Sequence, residues 1–236
     1  MYIPAHFAAT DLTEIGRFVD QAGTADLVTF DGTAPVATLL PVIWERPEEP
    51  DPAADDGGAA AGRWGAGHGR LLGHIARSNP QWSTAAAGVP ALAIVRGPQA
   101  YISPSWYQST REHGRTVPTW NYTTVHFTGP VTFHRDEDWL RDVVTRLTER
   151  YEAGRAGRWW VGDAPEQFIA GQLRAIVGVE MQVTGIEAKD KLSQNRTPQD
   201  RANVIAALRG EPGQGPHVIA DLMAARETAA LADGGG

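Results

Sequence analysis

Seven histidines, at positions 6, 68, 74, 113, 126, 134 and 217, are the groups best suited to hold a metal or move a proton. None stands in a His-x-x-x-His or His-Glu-x-x-His spacing, so two ligands do not meet on one helix face and a mononuclear zinc site is not signalled. The absence of cysteine excludes disulfides, Cys-ligated zinc, iron–sulfur clusters and thiolate-ligated haem. A Gly-x-Ser-x-Gly elbow is missing too, which leaves hydrolase chemistry without a nucleophile. His74 has the most suggestive setting. In a strand, Leu72, His74 and Ala76 share one face while Leu71, Gly73 and Ile75 share the other. A neutral imidazole among hydrocarbon is a natural axial ligand for haem iron, and Gly73 beside it would let a bulky planar group approach the backbone. The same placement also describes a core histidine bonded to a backbone carbonyl. His126, flanked on its strand face by Thr124 and Thr128, carries the same two readings and ranks second.

Two further constellations could serve a planar ligand. AYISPSWY (100–107) and VPTWNY (117–122) combine hydroxyls with Trp106, Tyr107, Trp120 and Tyr122, which suits aromatic walls with a few polar tethers and equally suits a barrel core or subunit interface. Lysine occurs at only two positions, Lys189 and Lys191, both in EAKDKLSQNR (187–196). The pair offers a compact cation or titratable amine to an anionic ligand, or else lies in a solvated loop before the next helix.

The elements that position these groups follow from periodicity. Asp11 or Thr10 caps a helix over 11–21 with Leu12, Ile15, Phe18 and Val19 on one face. Ala25–Phe30 and Pro35–Trp44 form a hairpin about Asp31-Gly32. Arg70–Ala76, Ala91–Arg96 and Ala100–Ser103 read as strands, the last two separated by a turn at Gly97-Pro98. Residues 117–133 form a β run broken at Gly129-Pro130. Helices are expected over 136–151, from the Asp163-Ala164-Pro165-Glu166 cap to Gly178, from Thr197 to about Leu208, and over 217–231, with 177–183 alternating as a strand. About six mostly antiparallel strands with flanking helices give an α+β class and a partly closed barrel.

Composition bounds the partners. The 236 residues, 42% hydrophobic, are enough to bury a core in one domain. A net charge of −7 argues against nucleic acid as a partner. No apolar run reaches the span length of a membrane helix, and the N-terminus lacks a signal-peptide pattern, so a soluble, cytoplasmic protein is expected. GAGHG (65–69) lacks the strand-to-helix context of a dinucleotide fingerprint. One barrel domain is expected over 1–210, with a mobile Gly/Ala/Pro-rich loop at 45–70 and a helical tail over 211–236.

MYIP at the start, HIARSNPQW, GPQAYISPSWY, EHGRTVPTWNYTTVH, DAP, IVGVE and KLSQNR, in this order, resemble the PaiB-like family, often labelled FMN-binding negative transcriptional regulators, over about residues 1–210 outside the 45–70 loop. The resemblance implies a split β-barrel related to pyridoxamine-phosphate-oxidase-like flavoproteins, with a homodimer building the cofactor site. The family also includes haem-dependent piperazate synthases, which close N5-hydroxy-L-ornithine, an amino-acid substrate, into L-piperazic acid by forming an N–N bond. Thr110, Ala188 and Asp190 depart from the Lys and the Gly-Lys-Trp-Lys expected of the regulators. Losing a cation and an aromatic there turns the expectation from FMN to haem b and the cyclase.

In that reading His74 is the axial ligand, with His126 as backup. Arg77, Asn79, Ser103, Ser105, Trp106, Thr119 and Trp120 surround the cofactor. Arg111, Arg115 and Gln194 grip the substrate, and Lys191 or His113 moves protons. The alternative is a flavin-linked regulator or reductase holding FMN through Ser103, Ser105, Thr119, Lys191 and Gln194.

Overall fold

The structure is a computed structural model and describes residues 1–46 and 67–233. In chain order the elements are α1 (Leu12–Ala22), β1 (Thr24–Phe30), β2 (Pro35–Glu45), β3 (Arg70–Ala76), α2 (Gln81–Thr84), β4 (Ala91–Ile102), α3 (Gln108–His113), β5 (Thr119–Gly129), β6 (Val131–His134), α4 (Glu137–Glu152), α5 (Glu166–Arg174), β7 (Ile176–Gln182), β8 (Gly185–Lys191), α6 (Pro198–Leu208) and α7 (Gln214–Asp233). The strands run in the order β6-β7-β3-β2-β1-β4-β5-β8. The class is α+β, an antiparallel split β-barrel with flanking helices, as the strand pattern predicts.

The chain divides into two compact units, one of residues 11–95 and 125–187, the other of 1–10, 96–124 and 188–236. In the larger unit, α1 starts where Asp11 accepts the amides of Thr13 and Glu14 at 2.7 and 3.0 Å. It stops at Gly23, whose left-handed φ of 68° no side-chain-bearing residue adopts cheaply. Tyr151 Oη on α4 then donates to the Gly23 carbonyl at 2.8 Å. The hairpin turns as expected, with Asp31 accepting from the amides of Thr33 and Ala34 at 2.8 Å and Phe30 paired with Pro35.

Leu27, Leu40, Val42, Leu71, Val179 and Met181 are buried, leaving among them an apolar gap of about 10 Å³, the size of one water molecule. The opposite face of β2 and β3 is covered by α4, whose Val143 and Leu147 bury Leu72 and half-buried Ile43. Each such aliphatic side chain contributes about 1.5–3 kcal/mol when taken fully from water.

The smaller unit has its own core. Ile102, Tyr107, Leu192, Val204, Leu208, Ile219 and Met223 pack together, so α7 carries buried residues from the C-terminal segment into it. Among the described residues no helix is long and apolar enough to cross a membrane.

Several expectations need correction. Gly97-Pro98 is no turn: β4 is one strand through it, because proline tolerates extended backbone wherever its missing N–H is not called on. Eight strands are found among the described residues, not six. EAKDK is a strand, β8, because buried Ile186 and Ala188 alternate under the charges that disguise it. The helix α5 ends at Arg174, and Ile176 already starts β7, so it does not reach Gly178. The expected mobile loop at 45–70 falls, over 47–66, outside the described residues; its ends, Glu45 and Arg70, are strand residues.

Candidate functional site

Strand β3 presents His74 on the face that carries Leu72, toward α4. Its lateral neighbour in the ladder is Gly178 on β7, and Gly178 in turn pairs with His134 on β6. A methyl group on Gly178 would stand 2.1 Å from Trp139 Cζ3, so the indole of α4 lies on that glycine. Trp139 also stacks on the His134 ring at 4.1 Å with an interplanar angle of 14°. His134 Nε2 meets Glu180 at 2.7 Å, Glu180 bonds Arg70 at 3.0 Å, and Arg70 reaches Glu45 through Nε at 2.7 Å. His134 is therefore held by a stacked ring and, through Nε2, by a carboxylate.

His74 is not. Its ring is half-buried, and Nδ1 is out of water without a hydrogen-bond partner. Burial lowers its pKa, so the ring is neutral and keeps a lone pair at physiological pH. A buried ring nitrogen left unbonded is unusual enough to need an occupant or a role.

The expected function of Gly73 is not seen. A Cβ there would meet the Pro41 carbonyl at 2.6 Å and Leu40 at 2.8 Å, so this glycine serves close strand packing and offers no room to a planar group. Arg77 has a buried Nε without a partner, as His74 has its Nδ1. Asn79 is engaged locally, donating to Thr38 Oγ1 at 2.8 Å and accepting the Gln81 amide at 3.0 Å. His126 is half-buried and its pKa is likewise lowered by burial.

The smaller unit gathers the cationic and aromatic candidates. Lys191 Nζ donates to the Trp120 carbonyl at 2.5 Å and to Thr119 Oγ1. Burial, then the charges of Lys189 and Arg196, lower its pKa. Lys189, only 7% exposed, donates to the Tyr2 carbonyl at 3.1 Å and lies 5.4–6.0 Å from the rings of Tyr122, Tyr2 and Phe7. Lys191 shares the Tyr122 ring at 6.0 Å. Trp120 is exposed and meets Tyr101 edge-on at 6.0 Å.

The turn after β8 is held in shape. Ser193 has φ 64°, the one left-handed non-glycine residue among those described, and its hydroxyl exchanges hydrogen bonds with buried Asn121 at 3.0 and 3.2 Å. Arg196 then lies over the ring of Tyr107 at 4.6 Å. Burial raises the Tyr107 pKa.

Other expected ligand groups are less available. Gln194 has both amide ends on backbone, accepting from Leu192 N at 2.7 Å and donating to Asp190 O at 2.6 Å, so it fastens the turn. Ser103 and Ser105 hydroxyls bond each other at 2.8 Å, Ser103 caps the single turn at 104–106 by accepting the Ser105 amide, and Trp106 packs on the core. Arg111, His113 and Arg115 are exposed on and after α3, and the His113 ring accepts the Arg115 amide at 3.0 Å. Thr110 bonds Thr116 and the Pro104 carbonyl at 2.5 Å each.

Lys191, Thr119 and Trp120 are thus brought together, whereas His74, Arg77 and Asn79 belong to the other unit. Tyr107 and Tyr122 stood in the sequence only as aromatic walls, and the Arg196 stack and the Asn121–Ser193 pair escaped it. The positive φ at Ser193 is invisible in composition, and an Arg–Tyr stack between distant segments leaves no local pattern.

These strands and flanking helices define the split-barrel class, and solved structures share the fold. A flavocytochrome, Anf3, from Azotobacter vinelandii superposes with a TM-score of 0.53 at 13% identity, over 83% of this chain and 75% of that one. The FAD and Heme binding protein from Mycobacterium smegmatis gives 0.52 at 16% identity, over 82% and 78%. Residues 1–185 match the family described as "Putative FMN-binding domain". The chain is also 34% identical over 223 residues to the Protease synthase and sporulation protein PAI 2 of Bacillus subtilis, covering 94% of this chain and 96% of that protein. It belongs to this PaiB-like family.

Proposed function

We propose that this protein is a haem-dependent cyclase that converts N5-hydroxy-L-ornithine to L-piperazic acid, with His74 as the residue that would hold the iron. The observation that carries the reading is the His74 ring, neutral through burial and with a buried nitrogen in no hydrogen bond. The donor type fits iron, since neutral imidazole is the common protein ligand of haem. Two relatives in fold, the flavocytochrome and the FAD and Heme binding protein, support haem on such a scaffold.

When bound, the haem would supply a Lewis acid that loosens the N–O bond of a hydroxylamine. Overall, one N–N bond forms, one N–O bond breaks and water leaves. The chain's own contributions are orientation and proton transfer. Arg77 and the exposed Arg111 and Arg115 are the cations offered to the substrate carboxylate. Lys191, its pKa lowered chiefly by burial, is the amine offered for proton transfer, ahead of exposed His113. The working form is proposed to be a homodimer in the cytoplasm.

A second reading, FMN binding, is favoured by the family description and by the Lys191–Thr119 pair, a cation and a hydroxyl suited to a phosphate. An absorption spectrum separates them. Haem-loaded protein is expected to show a Soret band that shifts on adding N5-hydroxy-L-ornithine, with L-piperazic acid detected by mass spectrometry and haem uptake lost in His74→Ala. Protein that carries a flavin instead, released as FMN on denaturation, rejects the haem reading. Full haem occupancy in His74→Ala rejects the ligand.

A further inference from the structure

Both lysines of the chain stand two residues apart on β8, against one tyrosine ring. Alternate residues of a strand share a face, so the second ammonium is placed beside the first by the backbone itself. Lys189 is fixed there by the Tyr2 carbonyl and lies against three aromatic rings.

Two carboxylates near the pair in sequence are engaged elsewhere. Asp190, on the other side of the strand, is paired with Arg226, and Asp200 accepts from the Ser109 hydroxyl and amide at 2.7 and 3.1 Å. The groups facing Lys191 are therefore Lys189, Arg196, the Tyr122 ring, a hydroxyl and a carbonyl. An amine has three donor positions as ammonium, and Thr119 and Trp120 take two. Next to it the Trp120 and Tyr101 rings are open to solvent. A partly desolvated lysine beside a second fixed cation is the arrangement that makes an amine nucleophilic at neutral pH.

We propose that Lys191 is a nucleophilic amine that condenses with the carbonyl group of a planar aromatic ligand bearing an anionic group. The amine adds to the aldehyde carbon, a C=N bond replaces the C=O bond, and one water leaves. Arg196, with the charge of buried Lys189 behind it, attracts the anionic group, and the exposed Trp120 and Tyr101 rings receive the aromatic plane. This activity needs neither haem nor flavin, so its failure leaves the assignment of haem to His74 untouched.

The chain offers three amines in all, Lys189, Lys191 and the amino terminus, so labelling is easily assigned. The probe is 4-carboxybenzaldehyde with cyanoborohydride at pH 7 on the full chain without added cofactor, followed by peptide mass mapping. With ordinary pKa values the amino terminus would react faster than a lysine by about two orders of magnitude. The expected result is the reverse, with Lys191 labelled first, at least tenfold faster than with uncharged benzaldehyde. Lys189→Met is expected to slow Lys191 labelling at least tenfold, and Lys189→Arg to restore it. Labelling led by the amino terminus, equal rates with the two aldehydes, or no response to Lys189→Met each overturns the proposal.

Discussion

Substituting Gly178 by alanine tests whether the His74 face is set by packing. The new methyl group would lie 2.1, 2.7 and 2.9 Å from Cζ3, Cε3 and Cη2 of Trp139. Ordinary carbon contacts are about 3.5–4 Å, so the indole must retreat by roughly 1.5 Å. It has little freedom to do so. Its amide is bonded to Asp136 at 2.9 Å at the start of α4, and its ring is stacked on His134, which is pinned by Glu180. Overpacking of this kind costs about 1–3 kcal/mol, and loss of the aromatic stack about 0.5–1.5 kcal/mol. The stiffer unfolded chain returns about 0.4–1 kcal/mol. The net expectation is a loss of about 0.5–4 kcal/mol, centred near 2, read as a fall in melting temperature by circular dichroism of about 2–4 °C for each kcal/mol. In a Trp139→Ala background the same substitution should cost almost nothing, because the clash partner is gone. A Gly178→Ala protein as stable as the parent, or an undiminished penalty in the Trp139→Ala background, would show that Trp139 does not hold this face.

The neutral burial of His74 has a pH signature. An unfolded histidine protonates near pH 6.5 while the folded one resists, so the unfolded state binds more protons and stability falls as pH drops below about 6.5, levelling off below the folded pKa. His74→Gln should flatten the dependence of the urea midpoint between pH 7 and pH 5, and an unchanged slope would count against a desolvated ring. Gln81 is fully buried with Nε2 shared among the carbonyls of Leu27 and Val36 and the Thr29 hydroxyl at 3.0–3.1 Å. Gln81→Ala leaves those acceptors dry and is expected to cost about 2–4 kcal/mol in urea denaturation, whereas a loss below 0.5 kcal/mol, about the level of a surface change, would contradict the role.

How much of this was legible depended on what each segment hides. Helix α1 announced itself through a cap at Asp11, both α1 and α4 through apolar residues at helical spacing, and β3 was found to the residue. Strand β8 was missed because Lys189, Asp190 and Lys191 read as a solvated run, and only the cage and Arg226 make those charges compatible with a sheet. His74 and the lysine pair were visible as residue types in odd company. What Gly73 does was not, since a glycine required by a neighbouring strand looks the same in sequence as one that admits a ligand.

The contact of the first residues with β8 bears on how that margin of the sheet is covered. Strand β8 ends the sheet, yet Ala8 bridges to Lys189 in antiparallel fashion and the Ala9 amide reaches the Ala188 carbonyl at 3.1 Å. The leading segment thus acts as a selvedge, occupying backbone groups that would otherwise recruit a foreign strand. Trimming or re-engineering the first nine residues for convenience would unpick that border, and self-association would follow from a change nowhere near the histidine.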